Sequence, residues 1–423
     1  MSSLKIIGGR LADTNAETTV LVRDGRISAL GEAAGNEPAD HDFDATGCLL
    51  TPGFVDLCCN LREPGNGQKG NIASESLAAA HGGFTTLCAS PDTSPVNDSG
   101  AVTNLILDVA AKRSSVRLLP VGAITRGLEG ELLSDMAGLA GAGCIALGNG
   151  ARPVKNARVL RRCMAYARTF GLTVMFSPEN QALAADGYAH DGLVASRLGL
   201  LGIPEVAETA AVMEMLLLAE ETGVRLHLGQ LSCARSVEML ADARKRGIAV
   251  TADVAMHQLM FTEDALSGFD SRYHVRPPLR SEKDRQALLG GVRDGVIDAI
   301  TSQHQPHDSA AKQAPLAATE PGLSTIENTL SMGLLLVERG ELDMASLIRS
   351  LTGGPAEVIG RSAELRQGAV ADLCVFDPDA TWVPNDSSLS SVGRHVPLPG
   401  KALPGVVRLT LCGGRQAWPQ SDL

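Results

Sequence analysis

Short apolar segments alternate with helical patterns through most of the chain, and this alternation constrains the fold more than any other feature. Segments typical of buried strands lie at residues 48–58, 85–89, 116–123, 144–148, 172–177, 225–231, 248–254 and 297–303. Helix-like segments fall between most of them, at residues 74–82, 101–114, 156–170, 206–222, 233–246 and 282–295. Eight strands alternating with helices predict an α/β fold of the (β/α)8 TIM-barrel type.

A doubly wound open sheet is the competing interpretation of the same alternation. It is less favoured, because no glycine-rich phosphate turn follows the first strand. In a barrel, functional side chains lie at the carboxyl ends of the strands and in the loops that follow them.

Both ends of the chain have a different pattern, that of short strands joined by turns. The Asp24-Gly25 pair lies between alternating apolar residues, which indicates a hairpin. Similar strand-and-turn sequence returns at 371–377 and 405–414. We therefore expect a small β-sandwich domain built from residues 1–51 and 362–423, around a barrel of residues 52–361.

Charge and cysteine usage limit the classes of partner and compartment. The net charge of −11 argues against nucleic acid or an anionic membrane as the main partner. Nine cysteines without a CxxC pair predict reduced thiols in a cytoplasmic protein and argue against a structural zinc site. No apolar run is long enough to span a bilayer, and the start of the chain lacks a signal peptide's apolar core.

Residues 52–65 read PGFVDLCCNLREPG and end the first predicted barrel strand. Side chains alternate along a strand, so Cys58 and Asn60 point the same way, toward the barrel mouth. The run resembles that of dihydroorotases of the amidohydrolase superfamily, where it reads DxHxHLREPG and the two histidines bind metal. Further motifs of that family follow in order at residues 83–86, 202–208, 277–285 and 304–307. The resemblance covers essentially the whole chain and implies a barrel with a sandwich built from both termini.

The resemblance also identifies the family's metal-binding positions, and every one that can be placed is changed. These positions hold Cys58, Asn60, Asn149, Ser177, Gln230 and Gln303. Gln303 replaces the aspartate that serves the family as ligand and general base. Without several charged ligands, the desolvation cost of a divalent cation is not recovered. We therefore expect no metal, no cofactor and no catalytic residue, although the Cys58-Cys59 pair leaves weak metal binding open.

The positions that contact substrate in the family are partly retained. Arg62, which in the family meets the substrate carboxylate, is present. Asp92 replaces an asparagine, and its carboxylate would repel an anionic substrate. Arg62, Asp92 and His304 remain possible ligand-binding positions; without a ligand, Arg62 is expected to pair with a carboxylate.

Other polar residues have structural interpretations. His227 is expected at the barrel rim, pointing away from the metal positions, and His304 and His307 are expected to shape the last strand's loop. His257 is expected to lie outside the metal shell. The segment 206–222 is apolar on most of its surface, and its glutamates are expected to face solvent; they are Glu208, Glu214, Glu220 and Glu221.

The resemblance implies a function for a family member without metal ligands. Some bacteria pair a catalytically silent dihydroorotase-like subunit with aspartate carbamoyltransferase, and this chain looks like that subunit. It is then expected to support assembly and activity of the carbamoyltransferase catalytic subunits in pyrimidine biosynthesis, and to form homodimers. Two alternatives stay open: a metal-independent cyclic amidohydrolase using Cys58, His304 and Glu179, and a ligand-binding pseudoenzyme that uses Arg62.

Overall fold

The computed structural model describes residues 3–420. The strands are β1 (Leu4–Leu11), β2 (Glu17–Arg23), β3 (Arg26–Leu30), β4 (His41–Asp44), β5 (Leu49–Pro52), β6 (Phe54–Cys59), β7 (Phe84–Ala89), β8 (Arg117–Ala123), β9 (Ala146–Gly148), β10 (Thr173–Phe176), β11 (Ala189–His190), β12 (Gly202–Ile203), β13 (Leu226–Leu228), β14 (Val250–Ala255), β15 (Ala299–Thr301), β16 (Leu373–Trp382), β17 (Leu403–Cys412) and β18 (Arg415–Trp418). The helices are α1 (Glu32–Asn36), α2 (Ile72–His81), α3 (Gly100–Arg113), α4 (Met136–Ala142), α5 (Ala157–Thr169), α6 (Gln181–Ala184), α7 (Leu193–Leu198), α8 (Glu205–Thr222), α9 (Ala234–Lys245), α10 (Met256–Met260), α11 (Glu282–Arg293), α12 (Thr329–Glu338), α13 (Met344–Leu351) and α14 (Gly353–Val358).

Eight parallel strands form the barrel, in the order β6-β7-β8-β9-β10-β13-β14-β15. The last strand returns to the first: Cys59 bridges to His304, and the Asn60 N–H donates to the His304 carbonyl at 2.9 Å. The predicted (β/α)8 fold is therefore confirmed and the open sheet is wrong. Closure matters for function because it brings the carboxyl ends of all eight strands together.

Apolar residues on both faces of the strands explain why they are buried. Inside the barrel, Val55, Leu57 and Val121 belong to one cluster. On the outside, Phe54 and Phe84 pack edge to face under the helices, with ring centroids 5.5 Å apart. Burial on both faces is typical of parallel strands covered by helices, and it gives continuous apolar runs rather than alternation.

The two ends of the chain share one sheet, in the order β18-β17-β16-β5-β1-β2-β3, with β4 paired to β1. Asp24 and Gly25 turn β2 into β3 with positive φ angles of 49° and 76°, as the hairpin prediction requires. Ile6, Val22 and Leu409 belong to one core that draws on strands from both termini. The predicted joint domain is thus present as a sheet with its own core.

Several elements differ from the sequence prediction. The segment 48–58 is two strands, because the chain leaves the terminal sheet at β5 and enters the barrel at β6. Gly53 lies between them, where a Cβ would come within 2.2 Å of Thr85. The β11–β12 pair and helices α6 and α7 were not predicted, because elements of two to six residues carry too little periodicity to be recognised. Within residues 3–420, no helix combines the length and the apolar character needed to cross a bilayer.

Helix α8 is fixed against the barrel by Glu208, which was expected to face solvent and instead is only 3% exposed. Its carboxylate accepts the N–H groups of Ser232 and Cys233 at 3.0 and 3.1 Å, and the Ser236 hydroxyl at 2.7 Å. These donors lie at the start of α9, where unpaired helix N–H groups favour an anion. The solvent assignment of Glu208 is therefore wrong, and the helix cannot rotate about its axis without losing these bonds.

Candidate functional site

The carboxyl ends of the barrel strands surround a cavity of about 90 Å³. Its walls come from all eight strands or their following loops. Of the positions singled out from the sequence, they include Cys58, Asn60, Asp92, Ser177, Gln230, Gln303 and His304. Asn149 and Arg62 are not wall residues. Most of the positions identified by the resemblance therefore lie on the wall of one cavity.

The first strand contributes a neutral thiol and a carboxamide that is already hydrogen-bonded. Burial raises the pKa of the Cys58 thiol well above its ordinary value, and the carboxylates of Asp253 and Asp56 raise it further. Asn60 donates from Nδ2 to both carboxylate oxygens of Asp92, at 3.0 and 3.2 Å. Its Oδ1 accepts the Arg62 N–H at 3.0 Å. Asn60 replaces a metal ligand of the family and Asp92 replaces a substrate-binding asparagine. The two side chains thus form hydrogen bonds with each other.

Asn149 serves its own loop. Its Oδ1 accepts the Thr125 hydroxyl at 2.6 Å, and its Nδ2 donates to the Arg152 carbonyl at 2.8 Å. The side chain is fully buried. A side chain committed on both its donor and its acceptor side holds the strand end in place and leaves no free atom for a ligand.

A histidine and a carboxylate meet on the far side of the cavity. His227 Nε2 lies 2.9 Å from Asp253 Oδ2, and its Nδ1 lies 2.9 Å from the Thr251 hydroxyl. Asp253 Oδ1 also accepts the Gln230 N–H at 2.7 Å. The expectation that His227 points away from the metal positions is wrong, because it and Gln230 share one carboxylate in the cavity wall. Asp253 was missed from the sequence; a lone acidic residue in an apolar strand was the available signal.

The segment after β15 holds Gln303 and His304, which face different partners. Gln303 donates from Nε2 to the Arg276 carbonyl at 2.9 Å. His304 Nε2 lies 2.8 Å from Glu75 Oε2, while its Nδ1 accepts the Thr325 N–H at 3.1 Å. Burial opposes ionisation of Glu75, yet its hydrogen bonds with His304, Ser391 and Ser74 lower its pKa overall. His304 is therefore committed to Glu75, and the structure does not pair it with Cys58.

Two further charged residues near the mouth are also committed. Glu179 forms a bidentate ion pair with Arg276, with distances of 2.6 and 2.9 Å. Arg62 donates from Nε to the Pro306 carbonyl at 2.9 Å, and its NH2 group lies 3.3 Å from His307 Nε2. The expected carboxylate partner of Arg62 is absent among residues 3–420. Arg62 lies beside the cavity and holds the loop after the last strand.

Comparisons with known proteins identify the family of this chain. A family model described as dihydro-orotase-like matches residues 47–236. A dihydroorotase-like protein of Pseudomonas putida is 46% identical over 417 residues, which are 97% of this chain and 98% of the relative. The chain belongs to the dihydroorotase-like family. A dihydroorotase of Anaeromyxobacter dehalogenans is 41% identical over 419 residues, 97% of each chain.

A solved structure has the same fold as this chain. An L-hydantoinase (dihydropyrimidinase) from Arthrobacter aurescens superposes with a TM-score of 0.88 and 24% sequence identity, covering 98% of this chain and 96% of the other. A likeness at this identity shows the shared barrel and terminal sheet.

The dihydroorotase-like mouth of this chain does not fit the metal that the resemblance implies. A divalent ion needs imidazole, thiolate or carboxylate donors that converge at about 2.0–2.3 Å. Here the carboxamides of Asn60, Gln230 and Gln303 are neutral, and the Cys58 thiol stays protonated. Among residues 3–420, the group of three potential metal ligands that converges lies elsewhere, at His190, Glu205 and Asp284.

Two members of that second group are hydrogen-bonded within the chain. Arg280 NH1 lies 3.1 Å from His190 Nδ1. A guanidinium only donates, so Nδ1 accepts and the neutral ring carries its proton on Nε2. Burial and the charge of Arg280 lower the pKa of His190, which keeps the ring neutral. Asp284 in turn accepts the Ala234 N–H at 2.8 Å at the start of α9.

A larger cleft, of about 320 Å³, lies between the terminal sheet and the barrel. Two of its four arginines pair with its carboxylates: Arg117 with Asp372 at 2.6 Å, and Arg366 with Glu364 at 2.9 Å. The first pair joins the barrel strand β8 to the residue before β16, and the second lies within the linking segment. The cleft therefore serves the contact between the two parts of the chain.

Proposed function

We propose that this chain is a non-catalytic dihydroorotase homologue that supports the assembly and activity of aspartate carbamoyltransferase in pyrimidine biosynthesis. The observation that carries the proposal is the barrel mouth, where the side chains at the family's metal positions are neutral and several are hydrogen-bonded to other residues of the chain. The partner comes from the resemblance to silent subunits of that enzyme.

Hydrolysis of a cyclic amide requires an activated nucleophile, a polarised carbonyl and a base. The carboxamide of Gln303 stands where the family has its base, and an amide does not take up a proton near neutral pH. Asn60 and Gln230 replace imidazoles, so the carbonyl has no Lewis acid to polarise it. The chemistry of the family thus lacks its three main contributors at this mouth.

The altered-site hydrolase receives no support from the geometry. Cys58 needs a nearby imidazole to become a thiolate. His304 uses both ring nitrogens on Glu75 and Thr325, and Glu179 is paired with Arg276. The ligand-binding alternative is also disfavoured, because Arg62 lies outside the cavity wall.

The caps of the barrel helices support a structural role for the folded barrel. Helices α2, α5 and α11 begin with side-chain caps from Asn71, Asn156 and Ser281. Such caps each stabilise a helix by about 1 kcal/mol. The chain therefore retains residues that stabilise the barrel helices, although the metal-binding residues of the family are replaced. A structural subunit needs the first set of residues and not the second.

The test combines binding with two activity assays. The purified chain is mixed with aspartate carbamoyltransferase from the same cells, and the mixture is sized by light scattering. Both activities are assayed, with and without added zinc, beside an active dihydroorotase of the family. We expect a defined complex, carbamoyltransferase activity that depends on this chain, and no hydrolysis of dihydroorotate. Zinc-independent or zinc-dependent turnover by the pure chain, or the absence of a complex, would overturn the proposal.

A further inference from the structure

The cleft of about 320 Å³ between the terminal sheet and the barrel lies at the end of the barrel opposite the mouth. Among its lining residues, Gly53 directly precedes β6, Thr85 is the second residue of β7, and Arg117 is the first residue of β8. The chemistry of a (β/α)8 enzyme takes place at the carboxyl ends of the strands. A ligand in this cleft would therefore be separate from the reaction of the family, and the volume is that of a small-molecule site.

Four arginines from three parts of the chain line this cleft, which is called the arginine cleft below. Arg26 lies on β3 of the terminal sheet and Arg117 on β8 of the barrel, while Arg361 and Arg366 lie in the segment that links α14 to β16. The acidic lining residues are two, Glu364 and Asp372, so the cleft has two more positive than negative side chains. The whole chain, by contrast, has a net charge of −11. A positive concave surface on an acidic protein attracts anions to that place.

Two of the four charges have no carboxylate partner. Arg117 and Arg366 form the ion pairs described above. Arg26 donates from NH1 to the Gly368 carbonyl at 2.8 Å, and that acceptor is neutral. Arg361 has neither a hydrogen-bond nor an ion-pair partner among residues 3–420. Because a guanidinium has five N–H donors, Arg26 and Arg361 both keep donors for a further acceptor.

The charge and the donors of the arginine cleft fit a phosphate monoester. Such a group has a charge of about −1.5 to −2 at pH 7, which matches the two uncompensated guanidinium groups. The planar guanidinium binds two phosphate oxygens at once through parallel N–H donors. The hydroxyl of Ser362, which also lines the cleft, is a further donor beside Arg361. A single carboxylate would leave one of the two positive charges uncompensated.

Apolar side chains in the same cleft indicate that the phosphate has an organic body attached. On the barrel side, Val55 and Ile359 are buried lining residues. On the sheet side, Val370 bridges to Arg26 and is 41% exposed. Sites for small organic ligands combine an apolar wall with a few polar groups that fix the orientation. An inorganic anion would contact the arginines and leave Val370 in solvent.

We propose that the arginine cleft binds a small organic phosphate monoester, with the phosphate on Arg26 and Arg361 and the organic body against Val370. The site does not depend on the proposed role in carbamoyltransferase assembly, since it is built and tested in the pure chain alone.

The test is calorimetric titration of the purified full-length chain in a low-salt buffer that contains no phosphate. Phenyl phosphate is the probe, because it joins a phosphate monoester to an apolar ring. We expect saturation at one phenyl phosphate per chain, with a Kd below about 1 mM. Inorganic phosphate lacks the ring and benzoate lacks the second charge, so each should bind about 10-fold more weakly.

Variants separate the two halves of the proposed site. Arg361→Gln should raise the Kd for phenyl phosphate about 10-fold, and Arg361→Lys, which keeps the charge without the fork, should have a smaller effect. Val370→Ser should weaken the binding of phenyl phosphate and leave that of inorganic phosphate unchanged. The matched control is Arg162→Gln, because Arg162 is an exposed arginine on α5, away from the cleft. Circular dichroism and the melting temperature without ligand should be unchanged in every variant.

Four results would each overturn the proposal. These are the absence of saturable binding of phenyl phosphate, an Arg361→Gln variant that binds it as tightly as the wild type, and an Arg162→Gln variant that is weakened as much as Arg361→Gln. The fourth is inorganic phosphate that binds as tightly as phenyl phosphate, since the cleft would then recognise the anion without an organic body.

Discussion

The barrel mouth and the outward face of α8 are two surfaces of one barrel with opposite characters. At the mouth, polar side chains find partners within the chain: Asn60 with Asp92, His227 with Asp253, and His304 with Glu75. On α8, apolar side chains that could be buried are left in solvent. Most polar groups at the mouth are thus satisfied within the chain, whereas the outward face of α8 exposes Val206, Met213 and Leu217.

The strongest test of this contrast concerns the anchor of α8. Glu208→Ala should lower the free energy of unfolding by about 4 kcal/mol, because it leaves several buried donors without an acceptor. Glu208→Gln keeps one acceptor oxygen and should lose roughly half as much. Urea unfolding measures both. The control is Glu238→Ala on the exposed face of α9, for which we expect a change within about 0.5 kcal/mol. A loss below about 1 kcal/mol for Glu208→Ala would mean that these hydrogen bonds do not hold α8 in place.

A second prediction uses a buried histidine that, unlike His227, has no hydrogen-bond partner on either ring nitrogen among residues 3–420. Burial lowers the pKa of His257 to about 4, from an ordinary value near 6.5. The folded state therefore resists protonation: its full stability is present above pH 6.5 and is lost as the pH falls toward 4. The loss from this residue approaches about 3 kcal/mol.

The variant His257→Phe should remove that share of the acid sensitivity. Unfolding free energies of both proteins at pH 7.5, 5.5 and 4.5 are compared, and the gap between them should shift in favour of the variant as the pH falls. His274 and His307, whose pKa values burial also lowers to about 4, affect both proteins equally. Parallel pH profiles would show that His257 does not stay neutral in the folded state.

A smaller effect is expected from breaking the pair at the mouth. Asp92→Ala removes the acceptor of Asn60, and both side chains are only partly buried. Water can replace the lost bond, so unfolding free energy should fall by less than about 1 kcal/mol. Thermal unfolding of the variant measures the change. A loss of several kcal/mol would show that the hydrogen bond between Asn60 and Asp92 contributes strongly to the stability of the fold.

The smallest expected effect is that of zinc. A tenfold excess of zinc over metal-free protein should shift the melting temperature by less than about 1 °C, since only binding to the native state stabilises it. The variants Cys58→Ser and Glu205→Gln separate the two places where an ion could bind. A shift that saturates at one ion per chain and disappears in Cys58→Ser would restore a metal site to the mouth.

The sequence alone predicted the barrel and the replaced positions at its mouth. Eight apolar segments with helices between them have few arrangements that bury both faces of every strand, and the closed barrel is one of them. Cys58, Asn60, Gln230 and Gln303 could be placed because the resemblance to dihydroorotases aligns them with the family's metal-binding positions. The identity of each residue then fixed its chemistry: a carboxamide is neutral in every environment.

Only the tertiary structure decided which partner each polar group takes and which face of α8 is exposed. His227 and Asp253 lie on neighbouring strands, and their contact depends on the register of these strands, which could not be predicted from the sequence. Glu208 could be assigned to solvent because a helix that is apolar all round gives no periodicity to separate its inner face from its outer one. The packing of α8 against α9 decides which face is buried, because a carboxylate such as that of Glu208 is tolerated in the interior only where several donors bond to it.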